Sequence, residues 1–211
     1  MAATNDKSRF RAERFRSSPA RSRGATLLEV LVSLLIATFG LLGLAGMQAI
    51  AHQSSLESYQ RAQALVLLYD MVDRINANRN SAGCYAFTTG AGTAYVGDTS
   101  GGGHLGTANC ATGFSDAHGK DAGDAGVNDW NRLLQGAAET SSGGASVGAM
   151  MGARGCISFN AATNIYTIAV AWQGISDTFA PVVDCANGLY GTETKRRVVW
   201  TTLRIGNLSA L

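Results

Sequence analysis

The spacing of apolar residues predicts a long helix at the start of the chain. Between Ala25 and Ile50 almost every residue is apolar, and Glu29 is the one charged residue. From His52 to about residue 78 the pattern becomes amphipathic, with apolar residues at steps of three and four. The apolar positions of this second stretch are Ala62, Leu65, Leu68, Val72 and Ile75. Together the two stretches predict one helix over residues 25–78, whose second half covers a core.

The C-terminal third has the alternation expected of β-strands. Residues 155–159, 165–172 and 197–205 are rich in β-branched and aromatic side chains, and the last two ranges repeat with a period of two. Such patterns are typical of half-buried antiparallel strands. A sheet with one apolar face needs a cover, and the long amphipathic helix is the candidate. We therefore predict an α+β fold in which a long N-terminal α-helix packs on a C-terminal antiparallel β-sheet of three or four strands.

The middle of the chain is rich in Gly, Ala, Ser and Thr, which predicts loops over residues 84–119 and 136–154. A short helix is expected between them, with Trp130 packed against the domain. Asp121, Asp124 and Asp129 precede or begin its apolar residues. We interpret them as acids favoured at a helix N-terminus. A calcium loop is not predicted, because the alternating ligands and terminal glutamate of an EF-hand are missing.

The basic charge of the protein is confined to its N-terminus. Residues 1–24 carry seven Lys and Arg against two acids, a net of +5, so the whole-chain net of +2 leaves −3 for residues 25–211. Basic residues before a membrane span stay in the cytoplasm, which predicts that the following domain lies on the other side. The later block Lys195-Arg196-Arg197 is interpreted as a solvated strand edge. No nucleic-acid partner is therefore predicted.

The apolar run is long enough to cross a bilayer. Val30 to Ile50 covers a hydrocarbon core of about 30 Å at about 1.5 Å per residue. An ordinary signal peptide, cleaved near Ala49-Ile50-Ala51, is the alternative. Its apolar region would be only about 7–15 residues long, and it would have no use for Glu29. A carboxylate at the start of a membrane helix is costly and is retained when something pairs with it.

Candidate sites for catalysis or metal binding are not apparent in the sequence. There is no nucleophile elbow such as G-x-S-x-G, and the histidines and cysteines lack zinc-ligand spacing. The four cysteines all follow the apolar run: Cys84, Cys110, Cys156 and Cys185. An even number of cysteines in an exported domain predicts disulfides. Of the three possible pairings we favour Cys84–Cys110 with Cys156–Cys185, since each bond would close a loop-rich segment.

The N-terminal pattern resembles the class III signal of type IV prepilins and secretion pseudopilins. Its residues here are the basic leader ending at Gly24, the uncharged start at Ala25, and Glu29 as fifth residue of the mature chain. Later residues resemble the minor pilins of the PilV group, also called pilus modification proteins. These later residues are Trp130, Leu134, Gly155-Cys156-Ile157, Tyr166-Thr167-Ile168 and Ala171-Trp172.

The resemblance implies a type IV pilin fold, and it implies roles for named residues. Prepilin peptidase would cleave between Gly24 and Ala25 and methylate Ala25, and Glu29 would recruit the subunit during assembly. The implied parts are a cleaved leader (1–24), a transmembrane or filament-core half of the helix (25–52) and a periplasmic globular domain (53–211). The implied location is first the inner membrane, with the leader cytoplasmic, and then the pilus fibre at the cell surface.

The implied partners are the peptidase, other major and minor pilins, and the inner-membrane assembly platform. No cofactor or metal is implied, and the function is not enzymatic: a minor pilin that assists pilus assembly or initiation and modifies adhesion or motility. Two features differ from the family pattern. Ala25 stands where Phe or Met is common, and residues 25–79 lack the proline of major pilins. A minor pseudopilin of a type II secretion system is the nearest alternative, and a membrane-anchored periplasmic enzyme is a remote one.

Overall fold

Helices occupy the first part of the structure and strands the last. The computed structural model describes residues 24–88, 94–98, 117–148 and 150–206. In chain order the elements are helix α1 (Leu27–Ala77), a 3₁₀ segment (Arg79–Tyr85), helix α2 (Ala117–Leu134), strand β1 (Arg154–Asn160), strand β2 (Ile165–Gln173), a 3₁₀ turn (Glu193–Lys195) and strand β3 (Arg196–Arg204). The chain divides into two compact units, residues 1–48 and residues 49–211, and α1 contributes to both.

The three strands form one antiparallel sheet in the order β1-β2-β3. Each strand pairs with its neighbour in the sequence: a short turn over residues 161–164 joins β1 to β2, and a longer segment over residues 174–195 joins β2 to β3. In this register Trp172 of β2 lies opposite Arg197 of β3, and Cys156 of β1 lies opposite Ala169 of β2. The predicted α+β class, with a long N-terminal helix and a sheet of three strands among the described residues, is confirmed.

The main core of the second unit lies between α1, α2 and one face of the sheet. Leu68 and Met71 of α1 are buried in the same cluster as Ile168 and Val170 of β2. Trp130 of α2 is fully buried there, and its Nε1–H donates to the carbonyl oxygen of Leu67 at 2.9 Å. The predicted packing of Trp130 is confirmed. This hydrogen bond satisfies the polar atom of a large buried side chain.

The buried stripe of α1 differs from the predicted one. Ala64, Leu68, Met71 and Ile75 are buried, at steps of four, three and four. Of the predicted residues, Leu68 and Ile75 are correct and Val72 is half-buried, but Ala62 and Leu65 are exposed. The predicted stripe lies on a neighbouring face of the helix. The pattern did not distinguish the two faces, because apolar residues occupy more than one face of α1 between residues 62 and 75.

The other face of the sheet is covered as well, which the strand pattern did not predict. Ala169 and Ala171 of β2 are buried in a second cluster with Ala186 and Tyr190. An irregular segment after β2 supplies this cover. Small side chains at these strand positions leave room for a close-packed backbone, so the sheet centre is buried on both faces rather than one.

Helix α2 is longer than predicted and begins at Ala117. Its first turn holds no acid: Asp121 and Asp124 come after that turn and Asp129 lies near the C-terminal end, so the prediction of three N-terminal acids was wrong. The Asp129 carboxylate instead pairs with Arg132 at 2.5 Å and with Arg74 of α1 at 3.5 Å. The hydrogen bond from Arg132, and then the charges of both arginines, lower the pKa of Asp129 despite partial desolvation. Asp129 thus links α2 to α1.

Candidate functional site

The chain preceding α1 is not helical. Gly24, Ala25 and Thr26 lie outside the helix and are exposed. A β-carbon added at Gly24 would meet no other atom within 4 Å. The backbone at the predicted cleavage position is therefore accessible to an enzyme without unfolding any element. The fold itself places no steric demand for glycine at residue 24. The leader residues 1–23 lie outside the described part of the chain.

Thr26 caps the helix at the residue before it begins. The backbone N–H of Glu29 donates to the Thr26 side-chain oxygen at 3.3 Å, and the N–H of Val30 donates to the Thr26 carbonyl at 3.2 Å. Thr26-Leu27-Leu28-Glu29 has the T-x-x-E spacing of a capping box. Sequence analysis missed this signal, although the spacing alone predicts a helix start. The cap explains why the helix begins directly after the predicted mature N-terminus.

Glu29 lies in the first turn of α1 with its side chain exposed. None of the salt bridges formed by the described residues includes it. A carboxylate in the first turn is favoured by the helix dipole, but that effect is small beside the cost of removing an unpaired charge from water. Among the described residues the carboxylate therefore keeps its capacity to pair with a cation from another molecule.

The helix that follows Glu29 exposes an almost uninterrupted apolar surface. Every residue from Leu27 to Leu56 is exposed. The large apolar side chains that are more than half exposed include Leu27, Leu31, Leu34, Ile36, Phe39, Leu41, Leu42, Met47 and Ile50. By length and composition α1 can cross a membrane, and it is the one described helix of which this is true. A surface this large is unusual on a soluble monomer and marks a region that contacts lipid or protein.

Two hydroxyl groups in the apolar part of this stretch are satisfied within the helix. The Ser33 hydroxyl donates to the carbonyl of Glu29 at 2.8 Å, and the Thr38 hydroxyl donates to the carbonyl of Leu35 at 2.8 Å. Such bonds remove the cost of placing hydroxyl groups in hydrocarbon. The helix continues without a break through Gly40, Gly43 and Gly46, and each glycine faces open space within the chain. Small residues of this kind let another helix approach closely.

The cysteines form disulfides in the second unit. Cys156 of β1 is bonded to Cys185, as in the favoured pairing, and this bond fixes the irregular segment to the sheet. Cys84 is also disulfide-bonded. Its predicted partner, Cys110, lies outside the described residues, so that pair stays a prediction. Within the described ranges, no three His, Cys, Asp or Glu side chains are grouped so that they could hold a metal ion.

The block Lys195-Arg196-Arg197 is not the solvated edge that the sequence predicted. Arg196 is only 2% exposed. Its guanidinium pairs with Glu193 at 2.5 Å and donates to the carbonyls of Val183, Cys185 and Pro181. The interpretation failed because neighbouring strand residues point to opposite faces, and here both faces are covered. Arg196 thus holds the segment that leads into Cys185.

Arg197 points to the other face and connects the sheet to α1. Its guanidinium donates to the carbonyl of Ser176 at 2.6 Å and to Oε1 of Glu57 at 3.4 Å. The same Glu57 oxygen accepts from the backbone N–H groups of Ile175 and Ser176 and from the Ser176 hydroxyl, at 3.2, 3.1 and 2.9 Å. These donors, led by the backbone of Ser176, lower the pKa of Glu57 despite desolvation. This role of Glu57 was not predicted from the sequence.

Comparison with known proteins identifies the N-terminal segment. A family model described as the prokaryotic N-terminal methylation motif matches residues 19–45, a range that contains Gly24, Ala25 and Glu29. Neither the curated proteins nor the solved structures give a match. The motif, the long apolar helix and the three-stranded antiparallel sheet together indicate a protein like the type IV pilins and pseudopilins.

Proposed function

We propose that this chain is a minor pilin of a type IV pilus, similar to the PilV group, that takes part in assembly or initiation of the filament and modifies adhesion or motility. The observation that carries the proposal is the methylation motif at residues 19–45, which includes the start of a helix whose apolar surface no other described residue covers. In this proposal prepilin peptidase cleaves between Gly24 and Ala25 and methylates Ala25. The role is structural, with no catalytic step.

Before assembly, the subunit would lie in the inner membrane with residues 25–52 in the bilayer and residues 53–211 in the periplasm. The internal hydrogen bonds of Ser33 and Thr38 support this placement, because they satisfy two hydroxyl groups that would otherwise be unpaired in lipid. The assembly platform would then move the helix from lipid into a bundle of other pilin helices. Gly40, Gly43 and Gly46 would allow close contact there, since no described residue fills the space beside them.

Glu29 supplies the specificity of that transfer. An unpaired carboxylate inside an apolar bundle is penalised by several kcal/mol. A cation from another subunit, such as its N-terminal amine, removes the penalty only where the two helices are in register. The exposed position of Glu29 and its lack of an ion-pair partner among the described residues support this mechanism. The carboxylate would select the correct stagger between neighbouring helices.

The test replaces Glu29 by Ala and compares two compartments. Membrane insertion should be at least as efficient as for the natural chain, because a charge is removed from the start of an apolar run. Cleavage should persist, because Gly24 and the leader are unchanged. The fraction of the protein in sheared pili should fall to near background, measured by immunoblot against the level in membranes.

Asp73→Ala is the matched control, because it removes an exposed carboxylate from the same helix in the second unit. It should enter pili like the natural chain. Normal entry of Glu29→Ala into pili would refute the assembly mechanism.

A minor pseudopilin has the same motif, so a strain that lacks the gene for this chain is also examined. Loss of pili supports the proposal, whereas intact pili with loss of a secreted protein assigns the chain to a type II secretion system.

A further inference from the structure

The segment that joins β2 to β3 presents two large apolar side chains to solvent. Phe179 is 98% exposed and Val182 is 92% exposed, more than any other large apolar side chain among the described residues, those of α1 included. A single exposed apolar residue is ordinary on a protein surface. Here two of them lie within four residues, and the fold gains almost nothing from either. Residues 179–182, the apolar tip, are therefore free to contact something outside the chain.

The backbone of the apolar tip is held in place by the sheet. Arg197 donates to the carbonyl of Ser176 at 2.6 Å, before the tip, and Arg196 donates to the carbonyl of Pro181 at 3.3 Å, within it. After the tip, the disulfide of Cys185 fixes the segment to β1. The exposure of the two apolar side chains is thus a property of ordered backbone, and a partner that covers them need not first order the segment.

The same segment is attached to α1 close to the end of the apolar run. Oε1 of Glu57 accepts from the backbone N–H groups of Ile175 and Ser176 at 3.2 and 3.1 Å. Glu57 follows His52, the last residue of the proposed membrane part, by five positions, which is about 7.5 Å along a helix. The polar layer on each side of a bilayer is about 5–7 Å thick. The attachment point therefore lies near the outer edge of that layer.

The apolar tip is close enough to this attachment to return to the lipid. Phe179 follows Ser176 by three residues, and three residues of extended chain span up to about 10 Å. That length exceeds the thickness of the polar layer. The second unit thus holds its two most exposed apolar side chains within reach of the hydrocarbon boundary.

The charges beside the apolar tip indicate which force would hold it there. Asp177 and Asp184 flank it and are exposed, and residues 174–184 contain no Lys or Arg. The Asp177 carboxylate accepts from the Thr194 hydroxyl at 2.7 Å. Acidic groups are not attracted to anionic lipid, so the contact would depend on apolar burial alone. The two carboxylates would stay in the polar layer and limit the depth of entry.

We propose that the apolar tip enters the surface of the bilayer while the subunit is in the membrane, with Phe179 and Val182 among the lipid chains nearest the headgroups. This contact would be a second attachment of the subunit, in addition to α1. Both side chains are already exposed, so their transfer from water to lipid is favourable without any loss of contacts in the fold. The inference rests on the proposed function, which supplies the membrane and places residues 53–211 outside the cytoplasm.

Photocrosslinking to lipid tests the inference. In the full-length chain, p-benzoyl-phenylalanine replaces Phe179, Phe39 or Phe159, one at a time, and each protein is reconstituted into vesicles of dioleoylphosphatidylcholine. Phe39, in the apolar half of α1, reports on the membrane placement itself. Phe159 is the matched control, because it is 40% exposed and pairs with Tyr166, at the end of the sheet opposite Gln173. Lipid adducts are measured by mass spectrometry after illumination.

Adducts should form at positions 39 and 179 and stay at background at position 159. Inclusion of phosphatidylglycerol should not raise the yield at position 179, because the flanking groups are acidic. With the probe moved to position 182, Phe179→Ser should lower the yield several-fold, since a phenyl group no longer enters the lipid. This substitution should not unfold the second unit, because Phe179 is 98% exposed.

Adducts at position 39 without adducts at position 179 would overturn the inference and leave the membrane placement intact. No adduct at position 39 would count against the placement itself, and the inference would fall with it. Equal yields at positions 159 and 179 would show that the domain touches lipid without a specific contact. Illumination of cells provides the last outcome: crosslinks from position 179 to protein rather than lipid would assign the apolar tip to a neighbouring subunit and overturn the inference.

Discussion

At the scale of single residues, Arg196 and Arg197 organise the segment after β2 from opposite faces of the sheet. Arg196 binds the carbonyls of Pro181, Val183 and Cys185, while Arg197 binds the carbonyl of Ser176. Two consecutive strand residues point to opposite sides, so one basic pair can serve both. A guanidinium has five N–H donors in one plane, whereas a lysine ammonium has three, so Arg196 can hold three carbonyls and the Glu193 carboxylate at once. The irregular segment is therefore ordered by side chains rather than by a backbone ladder.

The contacts of Glu57 predict a dependence of stability on pH. The pKa of Glu57 is lowered from its ordinary value of 4.5, first by the backbone N–H of Ser176 and also by Arg197. The unfolded chain then binds the proton more tightly than the folded one. The stabilisation by Glu57 is complete above about pH 4.5 and is lost as the pH falls through the lower folded-state pKa.

Glu57→Gln keeps the shape of the side chain and removes this charge. The variant should be less stable by about 1–2 kcal/mol at pH 7, and its stability should fall less between pH 5 and pH 3. The measurement is the midpoint of thermal unfolding, followed by near-ultraviolet circular dichroism. Part of the slope should remain, because the pKa values of Asp129 and Glu193 are also lowered. Asp184→Asn, at an exposed position, is the control, and an unchanged slope in Glu57→Gln would contradict the assignment.

At the scale of elements, the structure and the sequence pattern assign different faces of α1 to the core of the second unit. Met71→Ala removes a side chain with 0% exposure and should cost about 2–5 kcal/mol of unfolding free energy. Leu65→Ala, at a position that the pattern predicted to be buried, should change it by less than about 0.5 kcal/mol, because Leu65 is exposed. Chemical denaturation of the two variants measures the difference. Equal losses of unfolding free energy in the two variants would contradict the burial of the Met71 face of α1 against the sheet.

The sequence predicted that α1 exists but not which face it buries. Residues 64–69 and 71–72 supply apolar side chains in several directions, so two stripes fit helical spacing equally well. Only the positions of Ile168 and Val170, which are far away in the sequence, decide between them. The strands were predictable for the opposite reason, since a period of two leaves only two faces to choose from. The contacts of Glu57 were not predictable, because their donors lie in the segment after β2 and in β3, far away in the sequence.

At the scale of the whole molecule, the division between the two units governs where the protein can reside. Among the described residues, the first unit consists of a short exposed lead-in and an apolar helix with no covering partner. The second unit has its own core, a disulfide and hydrogen-bonded loops. The two units thus have different preferred surroundings, one apolar and one aqueous, and the proposed cleavage lies within the first unit, at the start of its described part.

Processing provides a prediction at this scale. The mature protein should begin at Ala25, and its mass should include one methyl group on the N-terminal amine, as N-terminal sequencing and mass spectrometry of membrane material can establish. Gly24→Val should leave the leader attached. Since a side chain at residue 24 meets no atom of the fold, failure to process cannot be ascribed to misfolding. A mature chain that begins at His52 would instead identify an ordinary signal peptide.

Under the proposed function, the uncovered helix also has a consequence for the fate of a subunit after a filament comes apart. Lipid tails and neighbouring leucine side chains are about equally apolar, so the hydrophobic effect hardly distinguishes the two surroundings. Transfer of the helix between the bilayer and a bundle of apolar helices therefore changes its free energy little, whereas transfer into water is strongly unfavourable. Withdrawal from a filament would therefore return the helix to the bilayer rather than lose the subunit. The membrane then serves as a reservoir from which the same molecule can be drawn again.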